Sequence, residues 1–299
     1  MKWKKIGRIF FPPGGSEWMN SHATNPIAVH LRDNLFRIYF NTRDTENRSS
    51  VAWVEVDVEN PTRVLRVSHD PALAPGPVGC FDDSGASASC ILRRNGDFWL
   101  YYQGWNLGVT VPYHHAIGVA VSADGTKFDR ISLGPVMDRS DIDPYTVSHP
   151  WVIDDNGDWR LWYGSNLNWG DGHSDTYHAV RVARSRDGLA WHGRNTICVG
   201  PGQGEHYIVR PCVIRDDDCY RMWYSFRGQF YRIGYAVSAD GIFWTRRDYE
   251  VGIDVSPGEW DGEEIEYPCI FDHLGQRYML YNGNGYGRTG FGIAVLESF

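Results

Sequence analysis

Apolar residues in this chain fall in short strand-like runs, and the runs repeat. Five segments each open such a run: Asn25-Pro26-Ile27-Ala28-Val29, Ala88-Ser89-Cys90-Ile91-Leu92, His149-Pro150-Trp151-Val152-Ile153, Arg210-Pro211-Cys212-Val213-Ile214 and Tyr267-Pro268-Cys269-Ile270-Phe271. Their second positions recur at intervals of about 60 residues, and self-similarity at a fixed period marks a repeat architecture. Each repeat reads as four strands. In the fourth, an apolar run from Cys212 is followed by the aromatic strand Tyr220 to Phe226, a third strand from Arg232 to Ser238 and an Asp240-Gly241 turn. Aromatic and β-branched runs separated by Asn-Gly or Asp-Gly turns are hairpin signals. The fifth repeat ends one strand short at Phe299, and residues 3–11 supply a strand with no other home. The pattern predicts an all-β fold: a five-bladed β-propeller with blades starting near 20, 83, 144, 205 and 262, its ring closed by residues 3–11 completing the last blade.

Five blades use the whole of residues 1–299, so the length reads as a single domain. The 14% aromatic content and 13 Trp suit packing between blades. A net charge of −8 argues against a nucleic-acid partner, and no apolar stretch approaches a membrane span. Met1-Lys2-Trp3-Lys4-Lys5 has positive charge without a signal-type apolar segment behind it, so the expected location is cytoplasmic. The six cysteines are scattered, with Cys90, Cys212 and Cys269 at equivalent core-strand positions, which reads as buried thiols rather than disulfides.

Antiparallel strands place the start of strand one and the end of strand two on one face of the disc. That face collects His22, Asn25, Asp82, Asp83, His149, Glu205, His206, Arg210, Glu266 and Tyr267 from the starts. It collects Arg43, Trp105, Arg227 and Asn282 from the ends. Carboxylates, imidazoles, guanidinium groups, amides and aromatics on several blades suit a small oxygen-rich ligand. Two longer insertions, Asn106 to His115 and Asn166 to His178, are expected to rim the pocket, bringing His114, His115, Trp169, His173 and His178 to it. Trp105 and Trp169 are candidate stacking surfaces for a sugar ring.

Short motifs carry a family resemblance. Trp18-Met19-Asn20-Ser21 resembles the opening motif of the invertases, with Ser21 where those enzymes have a nucleophilic Asp. Glu266-Tyr267-Pro268 resembles the strand start that carries the general acid in the arabinanase group, although on the fifth repeat rather than the third. Ser185-Arg186-Asp187-Gly188 and Ser238-Ala239-Asp240-Gly241 look like degenerate Asp boxes, which are turn motifs. The chain therefore resembles the five-bladed propeller glycosidases, a group including arabinanases and xylosidases, invertases and levansucrases, and mannoside phosphorylases.

The resemblance implies a glycosidase acting on a small glycoside or glycoconjugate. Glycosyl transfer normally uses an acid and a second carboxylate on opposite sides of the scissile bond. Glu266, flanked by Ile265 and Tyr267, is the expected acid, with Asp83 or Glu205 as partner. Carboxylates on distant blades leave room for a water, so inversion is expected. For Asp82-Asp83 a loop cap is the competing structural reading, for Glu205 a solvated loop acid. In the arabinanase group an Asp before Pro on the first blade acts as base; the residues at that register position here are Asn25, Ala88, His149, Arg210 and Tyr267. Two alternatives stand beside hydrolysis. Arg43, Arg210 and Arg227, with His149 nearby, could cradle an anion for a phosphorylase or transferase, or an acidic or phosphorylated ligand. A carbohydrate-binding propeller without catalysis is the other. His22, His149 and His206 raise the thought of a metal, but hydrogen bonding explains them more simply, and no metal or cofactor is expected.

Overall fold

The computed structural model describes residues 1–170, 176–216 and 219–299; His173 lies outside the described residues. Twenty strands form four-stranded antiparallel units in chain order. The first unit is β1-less at its start: it comprises β2 (Ser21–Arg32), β3 (Leu35–Arg43), β4 (Ser49–Asp57) and β5 (Val64–Val67). The second comprises β6 (Gly85–Arg94), β7 (Asp97–Leu107), β8 (Tyr113–Ser122) and β9 (Asp129–Arg130), and a single parallel bridge, Ser49 to Gly85, joins it to the first. The third is β10 (Val147–Asp155), β11 (Asp158–Trp169), β12 (Thr176–Ser185) and β13 (Ile197–Val199). The fourth is β14 (Tyr207–Arg215), β15 (Tyr220–Arg227), β16 (Tyr231–Ser238) and β17 (Thr245–Arg246). The last takes β18 (Glu266–His273), β19 (Gln276–Asn282) and β20 (Phe291–Ser298), and its fourth strand is β1 (Lys2–Phe10), antiparallel to β20. The strand borrowed from the N-terminal run is thus where the unfinished fifth repeat required it.

Each first strand carries a bulge at the repeating register mark, where pairing with the second strand lapses. Proline has no N–H for the ladder, so Pro26, Pro150, Pro211 and Pro268 sit where a sheet tolerates them. The residue before each proline is left-handed: Asn25 (φ 54°), His149 (48°), Arg210 (56°) and Tyr267 (55°). Such backbone is costly for a side-chain-bearing residue and gathers at functional sites. The bulged amides are taken up by a neighbouring unit. Asn25 N–H donates to Asn282 Oδ1 (2.9 Å), Ala88 N–H to Asn41 Oδ1 (2.7 Å), His149 N–H to Gln103 Oε1 (3.2 Å) and Tyr267 N–H to Ser225 Oγ (2.7 Å). Strand-two amides and hydroxyls at the candidate face are therefore structural clamps between units.

Between the sheets lie fully buried aromatics, Trp162, Trp223, Tyr101 and Tyr235 among them. The turns resembling Asp boxes dock onto the preceding unit: Tyr101 Oη donates to Gly188 O (2.9 Å) and Trp162 Nε1 to Gly241 O (2.9 Å). Gly188 is left-handed (φ 73°), and a Cβ there would stand 2.7 Å from Tyr101 Oη, so glycine is required on both counts. Cys90, Cys212 and Cys269 are free thiols buried among these packed strands, as their equivalent positions implied.

Candidate functional site

A cavity of about 460 Å³ opens where the first strands of all the units begin. Its floor comes from strand-one starts, Thr24 and Asn25, Ser87, Ser148 and His149, Val209 and Tyr267. Strand-two ends contribute Arg43, Gln103 and Trp105, and strand-three starts contribute Tyr113, His115, His178 and Tyr231. Tyr207 and Tyr286 complete one wall. Among the described residues the lining holds one arginine and three histidines but no aspartate or glutamate.

Of the residues expected at the site, Asn25, Arg43, Trp105, His149 and Tyr267 line this cavity. Asn282 is buried just outside it, accepting from Asn25 and donating from Nδ2 to Ala23 O (2.6 Å), so it clamps β2 rather than meeting ligand. His22 is buried beside Ser21, whose Oγ lies 2.9 Å from its Nδ1. Trp169 packs edge-on to Tyr113, and His206 leans on Tyr177. Both stand outside the lining.

The expected carboxylates separate sharply. Asp82 is fully buried, accepts from Tyr102 Oη (3.0 Å) and pairs with Arg130 Nε (2.7 Å). The same arrangement recurs as Tyr163–Asp143–Arg194, Tyr224–Asp248–Arg246 and Tyr281–Asp261–Lys5. A motif repeated in four units is a brace of the fold. Asp83 caps its own loop, accepting from Gly79 N–H (3.0 Å), Ser84 Oγ (3.0 Å) and Asn106 Nδ2 (2.7 Å). Burial pushes its carboxyl up, yet those bonds hold it below the usual carboxylate value. Glu205 is gripped by both terminal nitrogens of Arg246 (2.7 and 2.8 Å) and by Gly202 N–H (2.7 Å), and likewise ends lower despite burial. Neither reaches the cavity. Turn formation accounts for Asp143 only in part, since Ser165 Oγ, Arg181 and Arg194 also meet it.

Glu266 differs from all of these. It is fully buried, and neither carboxyl oxygen has a hydrogen-bond partner among the described residues. Burial raises its pKa well above the ordinary carboxylate value; Glu264 adds to this, while Arg227 and the nearby Tyr286 backbone N–H, short of hydrogen-bond geometry, oppose it. The carboxyl therefore holds its proton to higher pH than an ordinary carboxylate does. It stands at the strand position that in the other units is held by Thr24, Ser87, Ser148 and Val209, all of them cavity-lining.

The three arginines are not gathered into one cradle. Arg43 stands on one wall with Nη1 donating to Asn47 Oδ1 (2.6 Å), and its charge, after burial, is what depresses His22 to about 4. Arg227, outside the lining, donates from Nη1 to Tyr286 Oη (2.7 Å). Arg210 lies fully buried under the floor, over the Trp151 ring, with Nη2 donating to Pro26 O (3.4 Å). His149 above it is held well below its usual value by burial and by the Arg210 charge. His115 and His178 face the same space, lowered to about 3 and about 4 chiefly by burial. All three present neutral rings whose Nδ1 has no protein partner. Neutral imidazoles suit hydroxyl recognition and gain protons when an anion arrives. Among the described residues no cluster of His, Cys, Asp or Glu has the arrangement of a metal site.

The tyrosine wall of Tyr113, Tyr207, Tyr231 and Tyr286 was absent from the sequence expectation. The signal was available, because the start of strand three lies on the same face as the end of strand two.

No family model matches the chain. Two relatives from Mycobacterium tuberculosis match end to end: "Uncharacterized protein MT1551" of strain CDC 1551 / Oshkosh is 49% identical over 299 residues, covering 100% of both chains. "Uncharacterized protein Rv1502" of strain ATCC 25618 / H37Rv is 48% identical with the same coverage. Among solved structures, a putative glycoside hydrolase from Parabacteroides distasonis superposes with a TM-score of 0.74 at 14% identity, covering 99% of this chain and 97% of that one. A thermostable family-43 glycoside hydrolase gives 0.70 at 18% identity, covering 96% and 90%. A Bombyx mori GH32 β-fructofuranosidase mutant solved with sucrose gives 0.66 at 15%, covering 92% of this chain and 61% of that one. The chain thus belongs to one protein family with the two mycobacterial relatives, and it shares its fold with these solved glycoside hydrolases.

Proposed function

We propose that the five units are five propeller blades, the β1–β20 pairing closing the ring, and that the central cavity holds a glycoside cleaved with Glu266 as the acid. The observation that carries this reading is the buried carboxyl of Glu266, its pKa raised, at the strand position whose counterparts in the other units line a cavity rich in imidazole and tyrosine. A carboxyl that keeps its proton above the usual range can protonate a leaving oxygen. Asp83 and Glu205, the expected partners, are held by their loops and by Arg246, and among the described residues the lining offers no other carboxylate to activate water. An attacking group that brings its own charge removes the need for one. We therefore favour phosphorolysis over hydrolysis: a phosphate oxygen bonds to the anomeric carbon, the glycosidic bond breaks and the Glu266 proton goes to the leaving oxygen. The sugar phosphate returns a proton to Glu266. Arg43 and the neutral rings of His115, His149 and His178 supply donors for that anion once protonated.

The test is a glycoside panel followed by NMR with and without inorganic phosphate. Phosphate-dependent formation of a sugar phosphate, lost in Glu266→Gln, supports the reading. Free sugar released without phosphate moves the assignment to hydrolysis. A second reading, a carbohydrate-binding propeller without turnover, is favoured by Asn25, His149 and Arg210 at the register positions. Ligand binding that survives Glu266→Gln with no turnover in the wild type would establish it.

A further inference from the structure

Glu266 is fully buried and outside the cavity lining, and Tyr286, which does line the cavity, lies beside it. Asn284–Gly287 crosses above it with Gly285 and Tyr286 both left-handed (φ 66° and 58°). Tyrosine adopts that backbone reluctantly. Anchors hold the ends of the segment: Gly285 N–H donates to Glu264 Oε1 (2.8 Å), and Asn284 Oδ1 accepts from Glu263 N–H (2.9 Å). The Tyr286 side chain itself is lightly held. It is 38% exposed, its ring meets Tyr231 edge-on at 5.7 Å, and its hydroxyl accepts the one bond from Arg227. Around it stand aromatic faces already in mutual contact, Tyr207 with Tyr231 at 6.2 Å and Tyr231 with Tyr267 at 5.9 Å.

A phenol is a six-membered ring carrying an oxygen at its edge, much as a pyranose is. From this geometry we infer that Tyr286 plugs a sugar-ring subsite: the ring of a neutral hexopyranoside displaces the Tyr286 side chain and packs on Tyr231 and Tyr267. Arg227 then donates to a sugar oxygen in place of the phenol, and the bridging oxygen comes within reach of the Glu266 carboxyl. Aromatic faces pack against the C–H face of a sugar while polar edges hold its hydroxyls. The buried carboxyl without a partner is explained as a group whose partner is the ligand. The inference rests on Glu266 being the acid, but it is tested separately.

The experiment is carbodiimide labelling of carboxyls in the full chain with glycine ethyl ester, mapped by mass spectrometry. Glu266 is expected to be protected in the wild type, labelled at least tenfold faster in Tyr286→Ala, and protected in Tyr286→Trp. Methyl hexopyranosides should also bind Tyr286→Ala at least threefold more tightly in titration calorimetry, since the plug no longer competes. Protection of Glu266 in a folded Tyr286→Ala protein, checked by near-UV circular dichroism, overturns the inference. Should that variant not fold, Tyr286→Gly removes the ring and suits the left-handed backbone; labelling no faster than in the wild type then overturns it. Faster labelling without turnover on any glycoside sustains the subsite and removes the catalytic role of Glu266. Turnover that needs Glu266 but is indifferent to every Tyr286 substitution, with labelling unchanged, keeps the acid and removes the subsite.

Discussion

A carboxyl buried without a partner is a thermodynamic statement about the native chain. Glu266 keeps its proton when folded and loses it in the ordinary carboxylate range when unfolded. The unfolded state therefore binds fewer protons above the ordinary glutamate value of 4.5. Stability against urea falls as pH rises from there toward the raised native value, by at most about 1.4 kcal/mol per pH unit from this one group. Glu266→Gln should lack that slope, so the variant gains on the wild type with rising pH and the two converge below 4.5. Unfolding curves of both proteins across pH 4 to 8 check the sign, with the pH range chosen to span the usual carboxylate values. The same substitution should lower turnover by about 10²–10⁴-fold, the usual worth of a general acid. Asp83→Asn, in contrast, removes a loop cap and should leave kcat within a few-fold. A loss with Asp83→Asn as large as with Glu266→Gln would return Asp83 to the chemistry.

At the scale of elements, two devices recur in every or nearly every unit, and both consume residues that look functional when read singly. One is the bulged first strand, whose freed amide is caught by Asn282, Asn41, Gln103 or Ser225. The other is the tyrosine–aspartate–cation brace. Asp143 shows its weight: the carboxyl is fully buried, with Tyr163, Ser165, Arg181 and Arg194 all directed at it. Removing one partner from a buried charged network costs about 3–5 kcal/mol, so Asp143→Ala should shift the denaturation midpoint strongly while changing the cavity little. In the first unit Phe40 stands where the brace tyrosine would be, and no such carboxylate is needed there.

The whole molecule depends on joining its ends. β1 pairs along nearly its full length with β20, Trp3 is buried against Trp223 of the fourth unit, and Lys5 reaches Asp261 at 2.6 Å. Deleting residues 1–11 exposes the edge of β20 and leaves Asp261 without its cation, and an open sheet edge of that kind invites aggregation. The truncated chain is expected to be aggregated or unfolded by size-exclusion chromatography and circular dichroism. A monomeric truncation with native melting would show that the last unit is stable without its fourth strand.

How much of this was legible beforehand follows from which forces act along the chain and which across it. Strand periodicity, the register marks before proline and the missing fifth-repeat strand are local hydrogen-bond and turn requirements, so the sequence by itself determined the units, their order and the borrowing of residues near the N-terminus. It also determined which face the polar residues share, because strand direction alternates, and Asn25, Arg43, Trp105, His149 and Tyr267 were found that way. Only the tertiary structure decided which acids are spent. Asp82, Asp83 and Glu205 sit beside Glu266 in any list of candidates, yet Arg130, Asn106 and Arg246 neutralise or cap the first three from 23 to 48 residues away. Glu266 is set apart by the absence of any such partner, a property of three-dimensional packing and desolvation that no spacing along the chain encodes.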